Sequence, residues 1–251
     1  MYYWLIGEMG TEGEYQYQPI HLYTVAIVAA ALILAVVWGF CHRQNIKRTR
    51  TLLTVICVFQ LGFEVFWRFV YLFIKKAPLT ELWPMYPCNL GGVLIPIIAL
   101  MDNHRGKQLF YLFGFVGGIL TFALPDGIFC RDVLVFPILK SILQHTGLLL
   151  IPALEFAVGS YRPTLKDMGW VFIGCTVHAL NCEVIDRMLG LTGDYMFFRS
   201  GMPFVIPGVP QFITLSVFAL FVFSLLSFLC DIKGSVSFLK KLCAPKSRQH
   251  I

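Results

Sequence analysis

"HLYTVAIVAAALILAVVWGFC", residues 21–41, is an apolar run without an acidic, lysine or arginine side chain. A helix needs about 20 predominantly apolar residues to cross the hydrocarbon core of a bilayer, and this run is long enough. Three acidic residues, Glu8, Glu12 and Glu14, precede the run, and no basic segment does. The run is therefore predicted to be a retained spanning helix and not a cleaved signal peptide.

The rest of the chain has the same character. Of its 251 residues, 57% are hydrophobic and 14% are charged, whereas about 25% of the residues of a soluble domain are charged. Further apolar runs follow, separated by short polar loops. Together with the first they predict an all-α membrane protein, a seven-transmembrane-helix bundle with spans at 21–41, 51–74, 87–101, 108–124, 136–159, 168–189 and 211–231.

The spans predict one domain, because the loops between most of them are short and no internal repeat is visible. A short extracytoplasmic segment (1–20) precedes the transmembrane domain (21–231), and a basic tail (232–251) follows it. Thirteen lysines and arginines lie on the side of the C-terminal tail, and five lie in the loops of the other side. Because cytoplasmic loops are enriched in these residues, we expect the N-terminus outside and the C-terminus in the cytoplasm.

Composition also excludes several classes of function. The eight cysteines are scattered, mostly within apolar runs, and no CxxC occurs. That pattern predicts neither a disulfide framework nor a metal site. The basic residues lie between apolar runs and not on one soluble face, so no nucleic-acid partner is expected. No glycine-rich phosphate loop is present, and we predict no cofactor.

Polar residues inside the spans are candidates for function, because they are costly in a bilayer. Glu64 and Arg68 lie four residues apart on one helix face, where they can pair. Gln144 and His145 lie on the fifth span and His178 on the sixth. Most of these groups fall in the outer half of the bundle, which predicts a polar cavity open to the outer leaflet. Each also has a purely structural interpretation, neutralisation within the bundle for the pair and a hydrogen bond between helices for His178.

The stretch "WPMYPCNL", residues 83–90, places Cys88 directly after Pro87, at the start of the short third span. A thiol at a helix N-terminus experiences the positive end of the helix dipole, which favours the thiolate. Counting along the helices places Cys88 and His145 at similar depths. An imidazole at that depth is a candidate base for the thiol. On the residues alone, a buried packing cysteine remains the alternative.

A series of motifs carries a family resemblance over residues 51–230. In order they are "YPCNL" (86–90), "LPDG" (124–127), "QHTG" (144–147), "YRPT" (161–164) and "DYMFFRSG" (194–201). The series resembles the YwaF family of bacterial integral membrane proteins, which is similar to transmembrane protein 164, a phospholipid acyltransferase of animals. The chain departs from the bacterial pattern before the cysteine, where "LPLHLC" is expected and Tyr86 replaces its histidine.

The resemblance implies a catalytic cysteine and a catalytic histidine, at the positions of Cys88 and His145. The implied reaction moves an acyl chain from a phospholipid to a lysophospholipid through a thioester on the cysteine. Arg68 is a candidate ligand of the lipid phosphate, and Asp126, Asn89 or Gln144 is a candidate for orienting His145. Glu64, His178 and Asp194 complete the predicted substrate-binding set.

Two alternatives stay open at this point. A lipid hydrolase would use the same pair with water as the acceptor. A lipid or solute carrier, or a sensor, would use the polar cavity for binding alone. The expected partners are the bilayer and its phospholipids, and the sequence does not determine the oligomeric state.

Overall fold

The computed structural model describes residues 4–5, 15–78, 82–125, 128–129, 132–190 and 206–243, with side chains as far as residue 240. The predicted ligands Asp126 and Asp194 lie outside the described residues, as does the motif at 194–201. Throughout the described part of the chain, regular structure is helical and no strand occurs. The helices are α1 (Pro19–His42), α2 (Ile46–Phe69), α3 (Pro87–Leu100), α4 (His104–Ala123), α5 (Phe136–Val158), α6 (Met168–Leu189), α7 (Gln211–Cys230) and α8 (Ile232–Cys243).

The predicted transmembrane bundle is confirmed. Among the described residues, six helical segments are long and apolar enough to cross a membrane, and α3 is a shorter apolar helix of 14 residues. A π-helical turn, Val70–Ile74, extends α2 to give a segment of 29 residues. The chain is therefore a multi-pass membrane protein. The direction in which the termini face stays a prediction.

Local sequence explains where the helices begin and end. Proline occupies the first turn of α1, α3 and α5, where its missing N–H costs no hydrogen bond. The side chains of Asn45 and Asn103 cap α2 and α4 by accepting from Arg48 N and Gly106 N. Gly159 ends α5 with a φ of 84°, a left-handed conformation that glycine adopts without strain.

The central helix is α5. Two thirds (67%) of its most apolar stretch is buried, against 11% of that of α1. It packs against α1, α2, α3 and α4, while α6 packs on the outside of α4. The first and last spans expose most of their large apolar side chains, as lipid-facing helices do. A polar group on α5 is consequently enclosed by protein and not by lipid.

Glycines bring α3, α4 and α5 close together. A Cβ atom at Gly91 of α3 would lie 3.0 Å from Leu148 Cδ2 of α5, and one at Gly114 of α4 would lie 2.3 Å from Ile95 Cδ1 of α3. The GxxxG spacing of Gly114 and Gly118 thus marks a close helix contact. The three helices form one core layer, in which Leu148 touches both partners.

The predicted tail begins with a helix. α8 follows α7 directly and is amphipathic, with lysines at 233, 240 and 241 and apolar residues between them. It packs on α7 and on the short 3₁₀ turn before α6. A helix of this kind is suited to the interface between lipid and water.

Candidate functional site

Helix α6 holds the segment that leads into α3. The Trp83 indole N–H donates to Asn181 Oδ1 (3.1 Å), and Asn181 Nδ2 donates to the carbonyl of Pro84 (3.3 Å). The next residue of α6, Cys182, donates its thiol hydrogen to the carbonyl of Met85 (2.8 Å). These three bonds fix the start of α3, and with it the position of Cys88.

Cys88 is the second residue of α3, after Pro87. Its side chain is half-buried and packs against the core layer of α3, α4 and α5. The sulfur belongs to the first turn of α3, where a helix leaves backbone N–H donors unpaired. These donors and the helix dipole favour negative charge on the sulfur.

Five polar side chains from three helices surround this position, and we call them the outer cluster: Glu64, Arg68, Asn89, Lys140 and Gln144. Arg68 Nη1 pairs with Glu64 Oε2 at 2.7 Å, as the spacing of four on α2 predicts. Asn89 Oδ1 accepts from Lys140 Nζ at 3.0 Å and from Gln144 Nε2 at 3.1 Å. The Cys88 sulfur lies 4.0 Å from the same Asn89 oxygen. Asn89 therefore joins the thiol to α5.

Lys140 is the centre of the outer cluster. It is 6% exposed and donates to Asn89 Oδ1 and to Gln144 Oε1. Its Nζ atom lies 3.9 Å from Glu64 Oε1 and 4.4 Å from the centre of the Trp67 ring. A buried ammonium needs such partners, because an isolated one is very costly to remove from water.

One oxygen of Glu64 is left without a hydrogen bond. Glu64 is 1% exposed, and no donor among the described residues lies within hydrogen-bonding geometry of its Oε1 atom. A Cβ atom at Gly92 of α3 would lie 3.1 Å from this oxygen and 2.9 Å from Gln144 Cγ. The cluster thus needs glycine at position 92 and retains one free acceptor beside Lys140.

His145 is buried on α5, one position after Gln144. Its Nδ1 lies 2.7 Å from the Ser141 carbonyl oxygen. Because a carbonyl can only accept, Nδ1 carries the proton and Nε2 of the neutral ring has the lone pair. The Phe122 ring of α4 packs edge-on against the imidazole at 6.3 Å. His145 is therefore oriented as a base, by the backbone of its own helix.

Register along the three helices places Cys88 and His145 in one layer. In one layer, Leu148 of α5 lies against Gly91 of α3 and Gly114 of α4. The next layer, one turn closer to the N-terminus of α3, contains His145 of α5, Cys88 of α3 and Gly118 of α4. The carbonyl oxygen of His145 would indeed lie 3.3 Å from a Cβ atom at Gly118.

Cys88 and His145 lie at one level by register, and a contact between their side chains stays a prediction. In the part of the chain that is described, no hydrogen bond joins their side chains. Catalytic hydrogen bonds are often long before substrate binds.

His178 lies apart from the outer cluster. Its Nε2 is 3.4 Å from Cys182 Sγ, and its ring packs against Phe113 of α4. His178 therefore supports Cys182, which holds the Met85 carbonyl. This position fits the structural interpretation of His178. Within the described ranges, no three His, Cys, Asp or Glu side chains converge as metal ligands.

One expectation needs correction, and one candidate residue was not predicted. Asn89 and Gln144 bond to Lys140 and to each other, so they do not orient His145, which the Ser141 carbonyl holds instead. Lys140 itself was missed, although a lysine inside an apolar span, four residues before a glutamine, is the kind of signal that marks a functional group.

A second polar group, the inner cluster, lies at the opposite end of α5. It consists of the buried residues Lys107, Tyr111 and Glu155, with Asp102 and Ser160 at its exposed edge. Lys107 Nζ pairs with Glu155 Oε2 and with Asp102 Oδ1, each at 2.5 Å. Tyr111 and Ser160 donate to the Glu155 carboxylate at 3.3 and 3.2 Å. Lys107, predicted in a loop, is in fact a buried residue of the first turn of α4.

The model of the TMEM164 family matches residues 16–227, which include α1 to α6 and most of α7. No curated protein and no solved structure matches. The match supports the predicted relation to transmembrane protein 164, while the narrower YwaF name stays a prediction. This multi-pass membrane protein belongs to the TMEM164 family.

Proposed function

We propose that the chain is an intramembrane lipid acyltransferase with Cys88 as nucleophile and His145 as base. The observation that carries the proposal is the position of the Cys88 thiol. It lies at the N-terminus of α3, in a buried polar layer, with a histidine on the neighbouring helix whose Nε2 has a lone pair. Membership of the TMEM164 family agrees with a role in lipid chemistry.

The first half-reaction loads the cysteine. His145 Nε2 takes the proton of the Cys88 thiol, and the sulfur attacks the carbonyl carbon of a phospholipid acyl ester. The carbon–oxygen bond of the ester then breaks, and His145 returns the proton to the departing oxygen. The products are a lysophospholipid and an acyl thioester on Cys88.

The second half-reaction transfers the acyl chain from Cys88 to the acceptor. His145 Nε2 takes the proton of a lysophospholipid hydroxyl, and that oxygen attacks the thioester carbonyl. The carbon–sulfur bond breaks, the sulfur leaves as thiolate, and His145 returns the proton to it. Because the thioester conserves the energy of the ester, no nucleotide is consumed.

Substrate contacts are assigned to the outer cluster. Arg68 is the most accessible of its charged side chains, 26% exposed, and is the proposed ligand of the lipid phosphate. The free oxygen of Glu64 is the proposed acceptor for a headgroup donor, and Asn89 and Gln144 hold Lys140 between them. His178 is proposed to act only through Cys182. Asp126 and Asp194 remain candidate ligands of the headgroup on the sequence alone.

The test is intact mass spectrometry of the purified protein after incubation with defined phospholipids. We expect a mass increase of one acyl chain that hydroxylamine removes, and transfer of that chain to added lysophospholipid. Cys88→Ala should abolish both, whereas Cys57→Ala, which removes another thiol of the same core layer, should keep both. His145→Ala should slow both steps, whereas His42→Ala should not, although His42 is also bonded to the carbonyl four residues back.

Other outcomes would redirect the proposal. An adduct that is released as free fatty acid, with no acylated acceptor, would make the protein a hydrolase. No adduct together with no lipid remodelling would contradict the enzyme proposal. It would favour binding or transport, for which the free Glu64 oxygen beside Arg68 is the supporting observation.

A further inference from the structure

The charges of the outer cluster do not cancel. It contains two cations, Arg68 and Lys140, and one carboxylate, Glu64. Arg68 and Glu64 form a pair at 2.7 Å, so Lys140 is left with a carboxylate oxygen at 3.9 Å and with neutral amide oxygens. Counted at formal charges, the cluster therefore carries one excess positive charge, on the buried Lys140 amine.

An excess charge in a buried site is costly unless an anion balances it. Asn89 lies between Lys140 and the Cys88 thiol, a neighbouring group that can become an anion. Its Oδ1 is 3.0 Å from Lys140 Nζ and 4.0 Å from Cys88 Sγ. Loss of the thiol proton would make the cluster and Cys88 neutral together.

We propose that Lys140 is the counter-cation of the Cys88 thiolate and thereby makes this cysteine the nucleophile. The inference rests on the proposed role of Cys88 and adds a positioning residue to it. Lys140 touches neither the ester nor the acceptor. It acts by stabilising the sulfur anion before attack and when the thioester is cleaved.

The surroundings of Cys88 contain few competing charges. Helix α2 contributes Glu64 and Arg68, and α5 contributes Lys140 and His145. Helix α6 carries His178 and Cys182 behind Met85, with the buried Asp186 one turn beyond Cys182. Helix α4 faces the layer with Gly118 and Phe122. Lys140 is therefore the cation that is joined to Cys88 through a shared acceptor.

The experiment measures the thiolate directly. The purified full-length protein is alkylated with iodoacetamide between pH 5 and pH 10, and the modification of Cys88 is followed by peptide mass spectrometry. Lys140→Met should raise the midpoint of the alkylation profile by about one pH unit or more, and lower the rate at pH 7 about tenfold, because one unit corresponds to a tenfold change in thiolate. Lys140→Arg should keep the midpoint near that of the wild type.

A second variant shifts the profile the other way. Glu64→Gln removes the carboxylate and leaves two positive charges, so the midpoint should fall and the rate at pH 7 should rise. A merely structural role of Lys140 does not produce opposite shifts. The matched control is Arg50→Met. It removes a cation that binds the last carbonyls of α3, the helix that carries Cys88 at its other end. This variant should leave the midpoint of the Cys88 alkylation profile unchanged.

An unchanged midpoint in Lys140→Met would overturn the proposal and assign the excess charge to a bound lipid phosphate. If Lys140→Met does not fold, a midpoint in Glu64→Gln that is unchanged or higher would overturn it equally. Alkylation needs no lipid turnover, so the role of Lys140 and the acyltransferase proposal can fail separately. Shifted alkylation profiles without an acyl adduct would support the role of Lys140 and contradict the acyltransferase proposal.

Discussion

The outer and inner clusters each join a buried lysine to a buried glutamate of another helix, yet they differ in completeness. In the inner cluster, Lys107 bonds to two carboxylates at 2.5 Å, and the Glu155 carboxylate also accepts from Tyr111 and Ser160. In the outer cluster, Lys140 is 3.9 Å from its carboxylate, and one oxygen of Glu64 has no donor.

The difference separates a structural device from a candidate site. A buried ion pair contributes to folding when its geometry is good and its remaining hydrogen-bonding groups are satisfied. The inner cluster meets that condition and anchors α4 to α5. The outer cluster retains a free acceptor and an excess cation next to a thiol. Buried polar groups without a full set of partners are expected at sites that bind ligands or catalyse reactions.

The largest expected effect separates the two clusters by stability. Lys107→Met should lower the free energy of unfolding by about 3–5 kcal/mol, because it leaves the buried Glu155 carboxylate without its cation. Arg68→Met should cost only about 1–2 kcal/mol, since Arg68 is partly exposed and Lys140 remains near Glu64. Unfolding by SDS in mixed micelles, followed by tryptophan fluorescence, measures both.

The critical result is which variant, Lys107→Met or Arg68→Met, loses more of the free energy of unfolding. Equal losses would mean that the outer cluster is as structural as the inner one. The double variant Lys107→Met with Glu155→Leu serves as the control, because it removes both charges and should recover most of the loss.

A middle-sized effect tests how tightly the outer cluster is packed. Gly92→Ala should cost about 1–3 kcal/mol, because the added methyl would lie 2.9 Å from Gln144 Cγ and 3.1 Å from Glu64 Oε1. Gly62→Ala on α2 has open space around the new methyl and should change stability by about 0.5 kcal/mol or less. The same SDS titration compares them, and equal stability of the two variants would contradict the packing described for α3 and α5.

The smallest effect concerns acid pH and the inner cluster. Lys107 donates to Asp102, which holds the pKa of this loop carboxyl below its usual value of 3.8. A carboxyl with a lowered pKa in the folded state adds stability above its unfolded pKa and loses it as the pH falls through the folded one. Stability should therefore decline below about pH 4, and Asp102→Asn should remove part of that decline.

Thermal unfolding of the wild type and Asp102→Asn between pH 2.5 and pH 6 measures this contribution. It should be small, because the Asp102 side chain is 65% exposed. Identical slopes for the two proteins would mean that Asp102 adds nothing to the cluster.

Much of the site follows from local rules. Pro87 and the helix start that it marks predict Cys88 at the N-terminus of α3, and the spacing of Glu64 and Arg68 predicts their pair. The depth of His145 follows from counting residues along α5. Contacts between helices do not follow in this way. Lys140 meets Asn89, and Lys107 meets Glu155, only through the crossing and rotation of separate helices.

By itself, the sequence determined that this is a multi-pass helical membrane protein, with seven apolar segments and a cysteine at the start of the short third one. The bilayer imposes that result, because it requires long apolar helices whose backbone bonds are satisfied internally. Only the tertiary structure decided which polar groups share a site. The glycine contacts among α3, α4 and α5 set their register, and that register joins Lys140 to Asn89 and Cys88 while it closes the inner cluster around Glu155.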